Sequence, residues 1–233
     1  IMPGRRYLEL DQLGFRYSLE NLNILEKSKI SKFTNIVVVG GSFAASTYCL
    51  PGESFSDILE SKLNSTGKYK KPVKVWNLAQ GGLVQNEYFS YIIQLGIVQS
   101  IDYVLWVDGL NDLLTTIPAK DFGLKNFQMA FHPGHYPLDN VMKNFNAHVM
   151  RTGESFLEYR RLAVDILEKL EVKSINILQP TVDRKLKGHT PQAEKLFEFA
   201  SLIPKGRSQQ TYMDMIPIIK SLGKQKYGLY FYE

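Results

Sequence analysis

The stretch Ile36-Val37-Val38-Val39-Gly40-Gly41-Ser42-Phe43-Ala44-Ala45-Ser46 decides the fold. Its first four residues are apolar and β-branched and follow the mostly polar run 32–35, the composition of a strand buried on both faces inside a parallel sheet. The strand runs into two glycines and a serine. Glycine tolerates backbone angles that other residues avoid, so the chain can turn sharply and present Ser42 at the carboxyl end of the strand, where open α/β sheets hold their ligands. Ser42 is therefore a candidate nucleophile, and its partners have to come from elsewhere in the chain.

Strand, turn and helix then repeat. Phe55, Ile58, Leu59 and Leu63 have helical spacing, and 64–67 closes that element. Residues 74–78 read as a second strand ending at Ala79-Gln80-Gly81-Gly82, with a helix expected over 87–95. Residues 103–107 read as a third strand ending at Asp108-Gly109-Leu110-Asn111-Asp112. No clean period runs through 115–150, which contains Pro118, Pro133, Gly134 and Pro137 and is expected to be a long loop with short helical pieces. An amphipathic helix is expected over 154–170, carried by Phe156, Leu162, Ile166, Leu167 and Leu170, followed by a fourth strand over 174–178. Helical segments over 191–203 and 207–222 and a fifth strand over 229–233 complete the chain. Strands alternating with helices predict right-handed crossovers, hence a three-layer α/β/α sandwich on a mainly parallel sheet of about five strands. Residues 1–34 read as a lead-in segment and 35–233 as a single domain.

Composition narrows the function. With 233 residues, 44% hydrophobic and 22% charged, the chain can bury a full core and is neither disordered nor fibrous. Its net charge of +5 is spread, with short basic clusters at 68–74, 184–187 and 224–226. These read as solvated surface, or as contacts for an anionic polymer, and no interleaving of basic and aromatic residues suggests a nucleic-acid platform. The one cysteine, Cys49, excludes an internal disulfide and a multi-cysteine metal site, and reads as a small buried hydrophobe. A dinucleotide or phosphate loop does not fit: counted from Gly40, Ser42 and Ala45 stand where glycines belong, and no Gly-Lys-Ser/Thr follows.

Parallel strands point one way, so the loops after the first three open on one sheet edge, and Ser42, Gly82 and Asn111 can converge there. Acyl transfer explains those residue types. A serine oxygen attacks a carbonyl, and the oxyanion that forms needs preorganised donors: a glycine N–H on closely approaching backbone, and an uncharged asparagine N–H. Taken singly, Ser42 reads as a helix N-cap, Gly82 as a turn glycine, and Asn111-Asp112 as a helix-capping pair. Their order after successive strands favours a site.

These motifs resemble those of the SGNH (GDSL-like) hydrolases, in particular a bacterial envelope branch. Gly40-Gly41-Ser42 resembles the family's Gly-Asp-Ser, with Gly41 for aspartate; Asn77-Leu78-Ala79-Gln80-Gly81-Gly82 resembles Asn-x-Gly-x-x-Gly, with Ala79 for the first glycine; Gly109-Leu110-Asn111-Asp112 matches Gly-x-Asn-Asp. The resemblance implies a flavodoxin-like sheet, Ser42 as nucleophile and first oxyanion donor, Gly82 and Asn111 as further donors, and no cofactor. It implies a carbohydrate or envelope-polymer ester as substrate, and location in a bacterial envelope or periplasm. No signal peptide or membrane-length apolar run is visible, and because the chain begins at Ile1 and not at a methionine, an export signal or anchor upstream of it is an open alternative. The family's general base, the histidine of an Asp-x-x-His after the last strand, is expected beyond Glu233. The alternative is a non-catalytic binding or assembly protein on the same scaffold. Of the histidines present, His189 follows Asp183 at the wrong spacing, His132 and His135 make only a weak metal signal without a placed carboxylate, and His148 reads as a packing or surface residue.

Overall fold

The computed structural model describes residues 31–46, 49–50, 52–81, 84–94, 101–109, 112, 145–179 and 207–232. Five strands, β1 (Thr34–Gly40), β2 (Val73–Asn77), β3 (Tyr103–Asp108), β4 (Lys173–Leu178) and β5 (Phe231–Tyr232), form one sheet in the order β2-β1-β3-β4-β5. Every neighbouring pair is parallel. This is the flavodoxin-like order, which changes direction between β1 and β3 and places its ligand crevice there. The expected three-layer arrangement on a parallel five-stranded sheet is the one found.

Alternation along β1 explains the layers. Val37 and Val39 join Trp106, Tyr88, Phe89, Ile92, Ala163 and Leu167 on one face, while Ile36 and Val38 join Leu105, Val107, Val75 and Ala44 on the other. Successive side chains of a strand point to opposite faces, so an unbroken apolar run needs cover on both. The first face carries α3 (Gln85–Gln94), α4 (Phe145–Lys169) and α5 (Arg207–Leu222); the second carries the short α1 (Ser42–Ala45) and α2 (Phe55–Ser65). Helix α2 begins with a capping box, in which the Ser54 hydroxyl accepts from the Asp57 N–H at 3.1 Å and the Asp57 carboxylate accepts from the Ser54 N–H at 3.2 Å.

Four expectations need correction. Helix α4 begins at Phe145, not at 154. Gly153 lies inside the helix and faces α5, where an added Cβ would stand 2.5 Å from Ile219 Cδ1. The buried stripe of α4 is Phe156, Leu157, Arg160, Ala163, Val164 and Leu167, which leaves Leu162 and Leu170 exposed. The last strand is only two residues long and begins at Phe231, because the Leu229 N–H is turned back to the Gly223 carbonyl at 3.0 Å, closing the π-helical Gly223–Tyr227. Finally, Cys49 is half-buried and not a core residue. The expected helix over 191–203 and nearly all of the expected loop over 115–150 lie outside the described residues.

Candidate active site

Ser42 opens α1 two residues beyond Gly40, and it is exposed. The tight passage out of β1 depends on Gly40: a Cβ there would lie 2.1 Å from the Val107 carbonyl oxygen and 2.7 Å from Ala44 Cβ. Backbone of β1 and β3 therefore approaches more closely here than any side chain allows. Beside Ser42 stands Phe43, 42% exposed, which gives the rim an apolar side.

The loop after β2 is brought to the same place by continued pairing. Leu78 N–H donates to the Val38 carbonyl at 2.8 Å and Gln80 N–H to the Gly40 carbonyl at 3.1 Å, so the chain runs on alongside β1 past the end of β2. Gly81 reaches Ser42: a Cβ built on it would contact Ser42 Cβ at 3.7 Å. Beneath it, fully buried Asn77 at the end of β2 accepts from Ala79 N–H at 3.0 Å and donates to the Ala44 carbonyl at 2.8 Å and to Ser56 Oγ at 3.1 Å. One side chain thus satisfies the last turn of α1, shapes the second loop and ties both to α2.

The loop after β3 is anchored by carboxylates. Gly109 has φ +102°, a left-handed geometry that favours glycine. Asp112 is buried; its carboxylate accepts from Gln85 N–H at 2.7 Å and from the Gly109 backbone N–H. It therefore caps the first turn of α3. Burial, and the nearby Asp108 charge, push the Asp112 carboxyl up to about 7, and those two backbone donors and Arg160 pull the other way. The same burial, followed by the Asp108 and Asp112 charges, raises the Tyr88 phenol far enough to keep it neutral.

Behind these loops lies a polar network that sequence reasoning missed. Arg160, 0% exposed, donates from Nη2 to Asp108 Oδ2 at 2.5 Å, from Nη1 to Asn176 Oδ1 at 2.9 Å and from Nε to Gln85 Oε1 at 3.1 Å. Its guanidinium lies 4.3 Å from the Trp106 ring centroid and 5.2 Å from that of Phe156. Gln85 Nε2 in turn donates to the Phe156 carbonyl at 2.8 Å. Burial raises the Asp108 carboxyl although Arg160 opposes it, and Asp108 Oδ1 has no hydrogen-bond partner among the described residues. A signal was available: an arginine on the apolar stripe of an amphipathic helix has to find a buried partner.

Of the residues singled out in the sequence, Ser42 is at the sheet's switch point, with its helix tied to the second loop. Gly82 and Asn111 lie outside the described residues, as do Asp183, His132, His135 and His189. His148 falls within α4. Among the described residues there is no group of three or more metal-ligating side chains, and no helix long and apolar enough to cross a membrane.

No family model matches the sequence, and no curated protein matches it. Solved structures similar to it include a psychrotrophic esterase, EstA, from Pseudoalteromonas sp., at 10% identity and a TM-score of 0.45, with 85% of this chain covering 75% of that one. An extracellular lipase from Streptomyces rimosus follows at 12% identity and a TM-score of 0.42, over 85% of this chain and 79% of that one. An acetyl xylan esterase matches at 12% identity and a TM-score of 0.42, over 78% and 80% respectively. At these identities and scores the likeness says nothing of activity, and the fold rests on the strand order and register given above.

Proposed function

We propose that this chain is the SGNH-type core of a serine ester hydrolase or acyl transferase, with Ser42 as the nucleophile. One observation carries the reading: an exposed serine stands on a glycine-enabled turn at the switch point of a parallel sheet, with Gly81 of the loop after β2 close enough that a Cβ built on it would touch Ser42 Cβ. In the reaction proposed, Ser42 Oγ attacks the ester carbonyl, its proton passes to a base, and the alcohol leaves. The oxyanion is held by backbone N–H groups at Ser42 and Gly82 and by the Asn111 side chain, each such donor being worth roughly 100- to 1000-fold in rate. The motif resemblance implies that the base is the histidine of an Asp-x-x-His block.

As substrate we propose an O-acylated carbohydrate or anionic envelope polymer. Support comes from the motif resemblance and from the net charge of +5, which favours an anionic polymer by general electrostatic attraction.

The full-length gene product tests the reading. Wild type is expected to hydrolyse p-nitrophenyl acetate and to take a fluorophosphonate on Ser42, and Ser42→Ala to lose both. A wild-type protein that takes no fluorophosphonate overturns the enzyme reading in favour of a binding or assembly protein on the same scaffold.

A further inference from the structure

We infer that Arg160 is a positioning residue of this site: by holding Asp108, Gln85 and Asn176 at once, it fixes Gly109 and Asp112, the ends of the segment that contains Asn111. The inference rests on the acyl-transfer reading above and adds to it a residue that lies on a helix, outside all three motifs.

The geometry is specific to the carboxyl ends of the strands. Asp108 is the last residue of β3, paired in register with Leu178 at the end of β4, and its backbone carbonyl accepts from Gln179 N–H at 2.6 Å. Gly109 follows it directly. On the other side, Gln85 is the first residue of α3; its side chain accepts from Arg160 while its backbone N–H donates to Asp112. Arg160 therefore reaches both ends of the third motif through one intermediary each. A guanidinium can do this because it is planar and offers five donors in a fixed fork, whereas an ammonium is a point charge. Trp106 and Phe156 hold the plane of the fork.

The location also argues against a role in stability alone. A buried ion pair seldom adds net stability over apolar residues of the same volume, because desolvating two charges offsets their attraction. Here the pair carries a further cost, since Asp108 Oδ1 is buried without a partner among the described residues, and a second buried carboxylate, Asp112, stands nearby. An arrangement this expensive at the mouth of β3 has its use in orientation, because a displacement of an oxyanion donor by about 1 Å costs on the order of 100-fold in rate.

Two variants of the protein test this: Arg160→Lys, which keeps the charge and loses the fork, and the neutral pair Arg160→Met with Asp108→Asn, which removes both charges of the ion pair together. Each is compared with wild type, at a temperature where all three remain folded, by hydrogen exchange at the Gly109 and Gln85 amides and by saturation kinetics of Ser42 labelling with a fluorophosphonate. Exchange at Gly109 and Gln85 is expected to accelerate at least about tenfold in both variants, with the β1 amides unchanged. The limiting labelling rate is expected to fall about 100-fold with little change in the half-saturating concentration. Unchanged exchange at Gly109 and Gln85 overturns the inference, and so does acceleration shared equally by β1, which marks a merely structural residue. A wild type that does not label overturns the acyl-transfer reading, while exchange alone then decides whether Arg160 orders this segment.

Discussion

Asn77 Nδ2 donates to the carbonyl oxygen of Ala44 at 2.8 Å, which joins the end of β2 to the last residue of the helix that begins with Ser42. A four-residue helix has little cooperativity of its own, so what holds it is this bond together with the Gly41 carbonyl accepting from Ala45 N–H at 3.0 Å. Asn77→Ala leaves the Ala44 carbonyl and the Ala79 N–H buried and unpaired and is expected to cost about 3 kcal/mol. Urea denaturation measures it, and a loss under about 1 kcal/mol refutes the linking role.

Gly40 and Gly81 sit on either side of Ser42 but are expected to behave oppositely. Gly40→Ala drives a methyl to 2.1 Å from the Val107 carbonyl and must part β1 from β3, so stability falls by about 3 kcal/mol or more. Gly81→Ala meets only Ser42 Cβ, at the ordinary distance of 3.7 Å, so stability changes by less than about 1 kcal/mol while the methyl crowds the serine. Melting curves set beside Ser42 labelling rates separate the two, the second variant losing reactivity without losing stability.

Asp112 gives stability a pH dependence of definite sign. Burial holds its carboxyl up at about 7 in the folded protein, against an ordinary carboxylate value of about 4 in the unfolded chain, so between those limits the native state holds a proton that the unfolded chain releases. Stability therefore decreases as pH rises from about 4 to about 7 and levels off above. The urea midpoint of Asp112→Asn plotted against pH is expected to be shallower than that of wild type; superimposable slopes contradict the assignment.

Gly153 and Ile219 form a testable pair across α4 and α5. Gly153→Ala gains about 1 kcal/mol of helix propensity but places a methyl 2.5 Å from Ile219 Cδ1, in a fully buried contact. Alone it is expected to be neutral or destabilising. Combined with Ile219→Val, which removes that atom, it is expected to recover at least about 1 kcal/mol relative to the sum of the single changes, read from a double-mutant cycle.

The sheet was legible in the sequence wherever a physical constraint acted on consecutive residues. β1 must be covered on both faces, which four β-branched residues announce, and the glycines after it mark the turn. Elements shaped by distant contacts were not legible. That α4 runs on through Gly153 shows only once Ile219 is seen packed against it, and the partners that Arg160 finds, Asp108 and Trp106, lie on a strand more than 50 residues away. Ser42 was legible from its strand and turn. The network that holds its neighbours was not, because Arg160, Gln85, Asp108 and Asn176 are spread over 92 positions of chain and share no spacing.

Gly40 has a mechanical consequence. Its carbonyl accepts from the second loop, and its backbone lies in register against Val107 too closely for any side chain to intervene. Segments that exchange slowly are those whose backbone bonds lie within the packed core, while opening is concentrated where such bonds are few. The platform under Ser42 is thus tied into the central strands and moves with them. Any closure that accompanies ligand binding has to come from the walls around the serine, not from the floor that carries it.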